Sequence, residues 1–142
     1  MSTEVVSLLE PDHPRAQAFR FALFKDPATR PIAVLFFNSQ RWGQAACVAL
    51  ISSPVTEKPL GMGMLIAQNG ALSVGVPMIT SIWVVLDCLR REEYALLLLR
   101  RLADESLARY HLPARFEVLS LRDHRLFQRA LEMNVPLYAG AE

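Results

Sequence analysis

The stretch MITSIWVVLDCLRREEYALLLLRRLADESLARY, residues 78–110, decides how the rest of the chain is arranged. Its first part, Ile79 to Leu86, is a short β-branched and aromatic run that predicts a strand. A polar turn follows from Asp87 to Glu93. The last part predicts an amphipathic helix, because apolar and small residues recur at helical spacing on one face: Ala95, Leu98, Leu99, Leu102 and Ser106.

A strand that leads through a polar turn into a helix is one of the places where proteins bind phosphate. The first amides of a helix have no partner within the helix, and the helix dipole favours an anion there. The same order of elements also occurs where a strand and a helix only pack together. The residues of this stretch alone favour the packing interpretation.

Length and composition predict one globular domain over residues 1–142. With 52% hydrophobic and 20% charged residues, the chain is not of the disordered class. A net charge of +1 without a basic stripe argues against nucleic-acid binding. The apolar runs are too short for a bilayer, so no membrane contact is expected. Cys47 and Cys88 lack metal-ligand spacing, and free thiols predict a cytoplasmic protein.

The first third of the chain predicts a strand, a helix and an ambiguous segment. The strand covers Glu4 to Leu9, and the helix runs from Pro14 to about Lys25, capped by Asp12 or His13. Ala18, Phe19, Ala22 and Leu23 are its expected buried stripe. The segment from Ile32 to Phe37 fits either a strand or a short helix. Residues 38–43 are expected to form a turn.

The middle of the chain predicts an antiparallel hairpin. Its strands are Gln44 to Ser52 and Leu60 to Ala67, and residues 71–76 are a candidate for one more short strand. No charged residue occurs from Pro59 to Leu86. Either both faces of the sheet are covered here, or one face meets a second copy, so a homodimer stays open beside core burial.

After the long helix, the sequence predicts a strand, a helix and a closing strand. Arg115 to Leu121 is the strand, with Phe116 and Val118 on one side. Asp123 is the expected cap of a helix from His124 to about Met133, and Asn134 is a left-handed stop residue. A strand or extended tail then covers residues 135–138. The whole order predicts an α/β or α+β fold with a mixed, mostly antiparallel central sheet flanked by helices.

This order and two short motifs resemble the GNAT family of N-acetyltransferases. The family motif V-x-P-x-x-[R/Q]-x-x-G-x-[G/A] falls on residues 85–95, where Val85, Arg90 and Ala95 match it. The family pattern N-x-x-A-x-x-L-Y-x-K-x-G-F falls on residues 123–135, and a leucine pair follows the first motif. The resemblance covers most of the chain from Gln44 onward, and the architecture matches better than the individual residues do.

The resemblance implies a cofactor, acetyl-CoA or another acyl-CoA, with its pyrophosphate at the start of the long helix. It also implies that an opened strand near Trp83 and Val84 offers a backbone amide to the acyl carbonyl. The acceptor would be an amine on a small molecule or a protein. The cofactor-binding residues that it implies are Val84, Val85, Arg90, Arg91, Glu92, Tyr94 and Ala95.

Four departures from the family pattern bear on activity. Asp87 replaces the usual proline, and Glu93 replaces a glycine that lies against the pyrophosphate. The Glu93 charge opposes a diphosphate unless the side chain turns outward or pairs with Arg90 or Arg91. Ala130 stands where the family often has its tyrosine acid, and the central strands carry no carboxylate. A base acting through water, or one of Glu57, His111 and His124, therefore stays open, and no catalytic residue is assigned.

Two hypotheses of nearly equal weight follow. The first is a divergent GNAT-like N-acyltransferase that transfers an acyl group from acyl-CoA to an amine. The second is a catalytically degenerate member of the fold, a pseudoenzyme that serves as a binding or dimerising module. An unrelated α+β interaction module is a third. Binding of coenzyme A separates the first from the others.

Overall fold

The computed structural model describes residues 6–53, 55–67, 77–85 and 90–138. Their elements in chain order are β1 (Ser7–Leu9), α1 (Pro14–Lys25), α2 (Arg30–Phe36), α3 (Ser39–Gly43), β2 (Ala45–Ser52), β3 (Pro59–Ile66), β4 (Met78–Ile79), β5 (Trp83–Val84), α4 (Arg91–Tyr110), β6 (Arg115–Phe116) and α5 (Leu121–Glu132). The candidate strand at 71–76 and the turn at 86–89, with Asp87 and Cys88, lie outside the described residues. In the part that is described, no helix is long and apolar enough to cross a membrane.

The described strands form one mixed sheet in the order β1-β2-β3-β4-β6, and β5 also pairs with β3. All pairs are antiparallel except β4 with β6. Helices α1 and α2 contribute to the core on one face, and α4 and α5 contribute to the core on the other. The predicted fold class, a mixed and mostly antiparallel sheet flanked by helices, is confirmed.

A β-bulge divides the predicted central strand into β4 and β5. Thr80 N donates to Met64 O, whereas Trp83 pairs with Met62. Three steps along the central strand therefore oppose two steps along β3, which leaves one extra residue between the two short strands. The bulge bends the strand near Ser81, between the end of β4 and the start of β5. Beyond the bulge, β5 pairs with β3, and among the described residues it has no register pair with β6.

Alternating glycine and methionine residues in β3 separate its two faces. Met62 and Met64 are fully buried against α1, in the core that also holds Trp83. On the opposite face, a β-carbon built on Gly61 would lie 2.9 Å from Leu98 Cδ1, and one on Gly63 would lie 3.2 Å from Leu102 Cδ1. Helix α4 therefore packs directly on the backbone of β3.

Burial within one chain accounts for the uncharged segment where it is described. Residues 61–66 and 82–84 are buried, because α1 covers one face of the strands and α4 covers the other. A sheet covered on both faces reads as a continuous apolar run. The absence of charge therefore does not require a second copy of the chain.

Two predictions for the first third of the chain are wrong, the plain turn at residues 38–43 and the burial of Ala18, and the structure resolves two alternatives that the sequence left open. Residues 38–43 hold the short helix α3 rather than a plain turn, because Asn38 Oδ1 accepts a hydrogen bond from Arg41 N at 3.0 Å. The ambiguous segment is a helix, α2, which also includes Arg30. In α1 the cap is His13, whose Nδ1 accepts from Arg15 N, and Ala16 rather than Ala18 is buried.

The C-terminal strand is shorter than predicted, and the last helix starts earlier. The ladder of β6 ends at Phe116, and Val118 is exposed. Ser120, not Asp123, is the N-cap of α5, because its Oγ accepts from Asp123 N at 3.1 Å. Asn134 has the predicted left-handed backbone, with φ of 62°. The tail then makes one parallel bridge between Leu137 and Ala114.

Candidate functional site: the cleft between β5 and β6

The site begins where two neighbouring strands separate. β4 and β6 pair in parallel at Met78–Arg115 and Ile79–Phe116. The last ladder hydrogen bond runs from Glu117 N to Ile79 O, at 2.8 Å. Beyond this bond, β5 pairs with β3, whereas the segment after β6 continues through Leu119 into α5. The strands leave a wedge-shaped gap at this end of the sheet.

A cleft of about 280 Å³ lies beside this gap, between the start of α4 and the start of α5. Side chains of β5, the first turns of α4 and the first turns of α5 enclose it. Its apolar lining is Ile82, Val84, Ala95 and Leu126. Its polar lining is Arg91, Glu92, Arg122, Asp123 and Arg125. An apolar interior with a polar, mostly cationic lining suits a ligand with a slender neutral part and an anionic part.

Four of the seven residues implied as cofactor-binding line this cleft: Val84, Arg91, Glu92 and Ala95. The other three do not line it. Val85 N donates to Leu60 O at 2.9 Å, and its side chain packs against the core under α1. Tyr94 is buried in the core under α4, where the Arg90 guanidinium lies 5.1 Å from its ring. The structure thus brings together the residues on the cleft side of the α4 N-terminus.

The acidic residue at the family's glycine position points toward solvent. Arg90 donates from Nε to Glu93 Oε1 at 2.8 Å and from Nη2 to Glu93 Oε2 at 2.6 Å. These hydrogen bonds hold the pKa of Glu93 below its usual value. The Glu93 side chain is 56% exposed and does not line the cleft. Both conditions under which Glu93 spares an anion site are therefore met.

The backbone of Val84 faces the gap. Val84 lies opposite Gly61 in the β3–β5 register, and the next residue, Val85, donates its N–H to Leu60 O. Hydrogen-bonded and non-hydrogen-bonded pairs alternate along an antiparallel ladder. The N–H of Val84 therefore points away from β3, toward the side from which β6 has separated. It is a backbone donor at the wall of the cleft.

Three arginines give the cleft its positive charge. Among the described residues, the side chains of Arg91, Arg122 and Arg125 have no hydrogen bond or ion pair. Glu92 is 3.8 Å from Arg129, in an exposed ion pair. Guanidinium groups without protein partners, beside a helix N-terminus, favour a bound anion such as a phosphate.

Glu117 is a carboxylate in the gap that the sequence did not single out. Arg41, from α3, donates Nη1 to its Oε1 at 2.9 Å and Nη2 to its Oε2 at 2.6 Å. Ser81 N also donates to Oε1, at 3.1 Å. Burial raises the pKa of Glu117, but Arg41 and the Ser81 N–H lower it more, so the net pKa lies below its usual value. The side chain is 12% exposed.

Asp123 is the second carboxylate in the gap, and it lines the cleft. It is buried, and it accepts a hydrogen bond from Leu119 N at 3.0 Å. Ser81 Oγ donates to the same carboxylate, 3.2 Å from Oδ2 and 3.3 Å from Oδ1. Ser120 caps α5 by accepting from Asp123 N, and the Asp123 carboxylate reaches back to Leu119 N, one residue before the cap. Ser81 thus contacts both carboxylates, Glu117 through its N–H and Asp123 through its hydroxyl.

The groups that stayed open as acids or bases lie elsewhere. Glu57 is an exposed residue with φ of 62° in the β2–β3 connection. His111 is the left-handed C-cap of α4, at the end of that helix far from the cleft. His124 is exposed on α5, and Ala130 is a fully buried core residue without a hydroxyl. None of the four lines the cleft.

A signal for both carboxylates was present in the sequence. Glu117 is a charged residue between Phe116 and Val118, in a strand predicted to have an apolar side. Asp123 follows Ser120 by three residues, which is the spacing of a capping box. Neither signal shows that the two residues approach the same serine, because that contact requires the bulge after Thr80.

Comparisons with known proteins extend this geometry. No protein-family model matches this chain, and no curated protein matches it. A solved structure described as that of a "probable acetyltransferase" is similar to it over 99% of this chain and 92% of the other. The TM-score is 0.53 and the sequence identity is 18%. At this identity the likeness shows the fold alone, and the fold of this chain is GNAT-like.

Proposed function

We propose that this chain is an N-acyltransferase that takes an acyl group from acyl-CoA and transfers it to an amine. One observation carries the proposal: the cleft beside the N-terminus of α4 combines an apolar lining with three arginines that have no partner among the residues that the structure describes. The GNAT-like fold supports it. The acceptor class, a small-molecule or a protein amine, is left to experiment.

The residues present fit coenzyme A in two respects. Ile82, Val84 and Leu126 offer an apolar wall to the thin pantetheine part of the molecule. Arg91, Arg122 and Arg125 offer charge to its phosphates. Glu93 does not oppose the phosphates, because it is exposed and paired with Arg90. When bound, an acyl-CoA supplies an activated thioester for attack by an amine.

The chain contributes mainly orientation and electrostatics to this transfer. The Val84 N–H faces the gap and can donate to a carbonyl oxygen as negative charge develops on it. Holding the two reactants in one cleft replaces a bimolecular encounter with a positioned one. The amine must also lose a proton, and the two carboxylates that line the cleft, Glu92 and Asp123, are the candidates to accept it.

One observation favours the second candidate, a protein that binds acyl-CoA without transferring the acyl group. Both carboxylates in the gap already accept hydrogen bonds, Glu117 from Arg41 and Ser81, and Asp123 from Ser81 and Leu119. The hydrogen bonds from Arg41 and from Ser81 N lower the pKa of Glu117, which leaves it a poorer proton acceptor. Ala130 leaves no hydroxyl at the position of the family's tyrosine acid.

The first experiment is thermal unfolding with and without millimolar acetyl-CoA. A ligand at a hundredfold excess over its dissociation constant adds about 2.7 kcal/mol to the stability, and we expect Tm to rise by about 5–10 °C. Arg91→Glu should abolish most of the rise. Arg115→Glu is the matched control, because it makes the same charge change at an exposed position at the start of β6, away from the cleft. An unchanged Tm at every acetyl-CoA concentration contradicts the proposal.

A second experiment separates transfer from binding. Release of the free thiol of coenzyme A is followed in the presence of small amines and of peptides with free N-termini or lysines. Turnover with any acceptor, faster than hydrolysis without one, supports the transferase. A rise in Tm together with no turnover across the panel favours the binding module.

A further inference from the structure

The parallel ladder between β4 and β6 stops at a definite hydrogen bond. In a parallel pair, every second residue of a strand bonds to the partner strand, donating its N–H to one residue and accepting at its C=O from the residue two positions further along. After the bond from Glu117 N to Ile79 O, the next donors in the pattern are Ser81 N, to Glu117 O, and Leu119 N, to Ser81 O. Neither of these two donors makes its ladder bond.

Carboxylates take both donors instead. Ser81 N donates to Glu117 Oε1 at 3.1 Å, and Leu119 N donates to Asp123 Oδ2 at 3.0 Å. Ser81 Oγ adds a hydrogen bond to Asp123, at 3.2 Å. The two N–H groups that would continue the ladder are therefore satisfied by side chains, and the strands have no unpaired donor that favours closing.

Each carboxylate is held from a different side of the sheet. Arg41, on α3, binds both oxygens of Glu117. Asp123 is fixed in the first turn of α5 by the Ser120 cap. The side-chain oxygens lie within hydrogen-bond distance of Ser81 N and Leu119 N, so neither donor has to cross the gap to reach a backbone carbonyl. Closing the ladder would also leave two largely buried carboxylates short of donors, which is costly.

We propose that Glu117 and Asp123 are positioning residues that keep β5 and β6 apart, so that the acyl-CoA cleft is open before its ligand arrives. The consequence for acyl-CoA rests on the proposed function, whereas the separation of the strands does not. The role differs from that of a catalytic base, because it needs an acceptor oxygen at each position and not a negative charge.

The test compares two double variants. Glu117→Ala with Asp123→Ala removes both acceptors, and Glu117→Gln with Asp123→Asn removes the charges but keeps an amide oxygen at each position. Acetyl-CoA affinity is measured by calorimetry. We expect the alanine pair to weaken binding by about tenfold or more, and the amide pair to recover most of that loss.

NMR of the free protein supplies the second readout. Nuclear Overhauser contacts between backbone protons of residues 82–84 and those of residues 118–119 report a ladder that has closed. We expect these contacts in the alanine pair and not in the wild type or the amide pair. Wild-type affinity in the alanine pair overturns the inference, and so does an amide pair that binds as weakly as the alanine pair.

Two further arms keep the test decisive. Where the alanine pair does not fold, Glu117→Ala and Asp123→Ala are examined singly, and each should expose the one amide proton that it served, Ser81 or Leu119, to new contacts or to faster exchange. Where the wild type does not bind acetyl-CoA, the proposed function fails, and the NMR contacts alone decide the inference. No closing of the gap in any alanine variant then overturns it.

Discussion

The two sides of the sheet around β3 are built by opposite means. On one side, β2 and β3 pair over eight residues each, and the interior of both strands is apolar. On the other side, the β4–β6 ladder has two register pairs and then ends at two carboxylates. The comparison shows that the continuous half holds the sheet together, whereas the interrupted half provides the cleft.

The largest expected effect tests the continuous half. Leu65→Ala removes a fully buried side chain of β3 from the core under α4, and we expect a loss of about 2–5 kcal/mol in the free energy of unfolding. Leu35→Ala is the control, because Leu35 is 62% exposed and its loss should change stability by no more than about 0.5 kcal/mol. Urea unfolding of both variants measures the difference. Equal losses in the two variants would contradict the conclusion that the continuous half of the sheet stabilises the fold.

The next effect concerns the polar side of the gap. Glu117→Gln breaks the two-point ion pair with Arg41 but leaves an oxygen for Ser81 N, and we expect it to cost about 1–3 kcal/mol at pH 7. Glu132→Gln, at an exposed position of α5, should cost almost nothing. Unfolding in urea at fixed pH gives both values.

The pH dependence of that difference follows from the lowered pKa of Glu117. A carboxyl whose pKa is lower in the folded state stabilises the protein above its unfolded-state pKa, and the benefit is lost as the pH falls through the folded-state value. The difference in the free energy of unfolding between wild type and Glu117→Gln should therefore be constant near neutral pH. It should shrink as the pH falls below the ordinary value of 4.5. A stability difference that grows as the pH falls would show that Glu117 is protonated in the folded protein.

The smallest effect concerns the cap that fixes Asp123. Ser120→Ala removes the hydroxyl that accepts from Asp123 N, and we expect a loss of about 1 kcal/mol. Ser120→Asp keeps an acceptor at the cap and should retain most of the stability. If the cap also positions Asp123, Ser120→Ala should expose the Leu119 amide to faster hydrogen exchange while the amides of β2 keep their protection.

The continuous half of the sheet could be predicted closely from the sequence. The two hairpin strands contain no charged residue and are bounded by polar loops, and the buried residues of α4 recur at helical spacing. The local sequence pattern is therefore enough to predict both elements. All five residues predicted for the α4 stripe are buried. Helix α3 was missed because its formation depends on the Asn38 cap, which resembles a turn in sequence.

The site could be predicted only in part, because it depends on tertiary geometry. The residues alone favoured simple packing at the start of α4, and the family resemblance implied a pyrophosphate site there. Of the residues that it implied, Arg91 and Glu92 line the cleft. It did not separate them from Arg90, which turns away to bind Glu93. The pairing of Glu117 with Arg41 joins residues far apart in the chain, and no local pattern carries that information.

The glycines of β3 have a consequence for how α4 can move. Leu98 lies against Gly61, and Leu102 lies beside Ile82 against Gly63. The four residues of helix from Leu98 to Leu102, with a rise of about 6 Å, therefore match two residues of strand, with a rise of about 6.6 Å. The spacing of these leucines along α4 is therefore nearly equal to the spacing of the glycines along β3. Helix α4 cannot slide along β3 by a fraction of a turn without lifting a leucine out of its glycine notch. The contacts of Leu98 and Leu102, about two and three turns further along α4, therefore fix the position of Arg91 at the cleft.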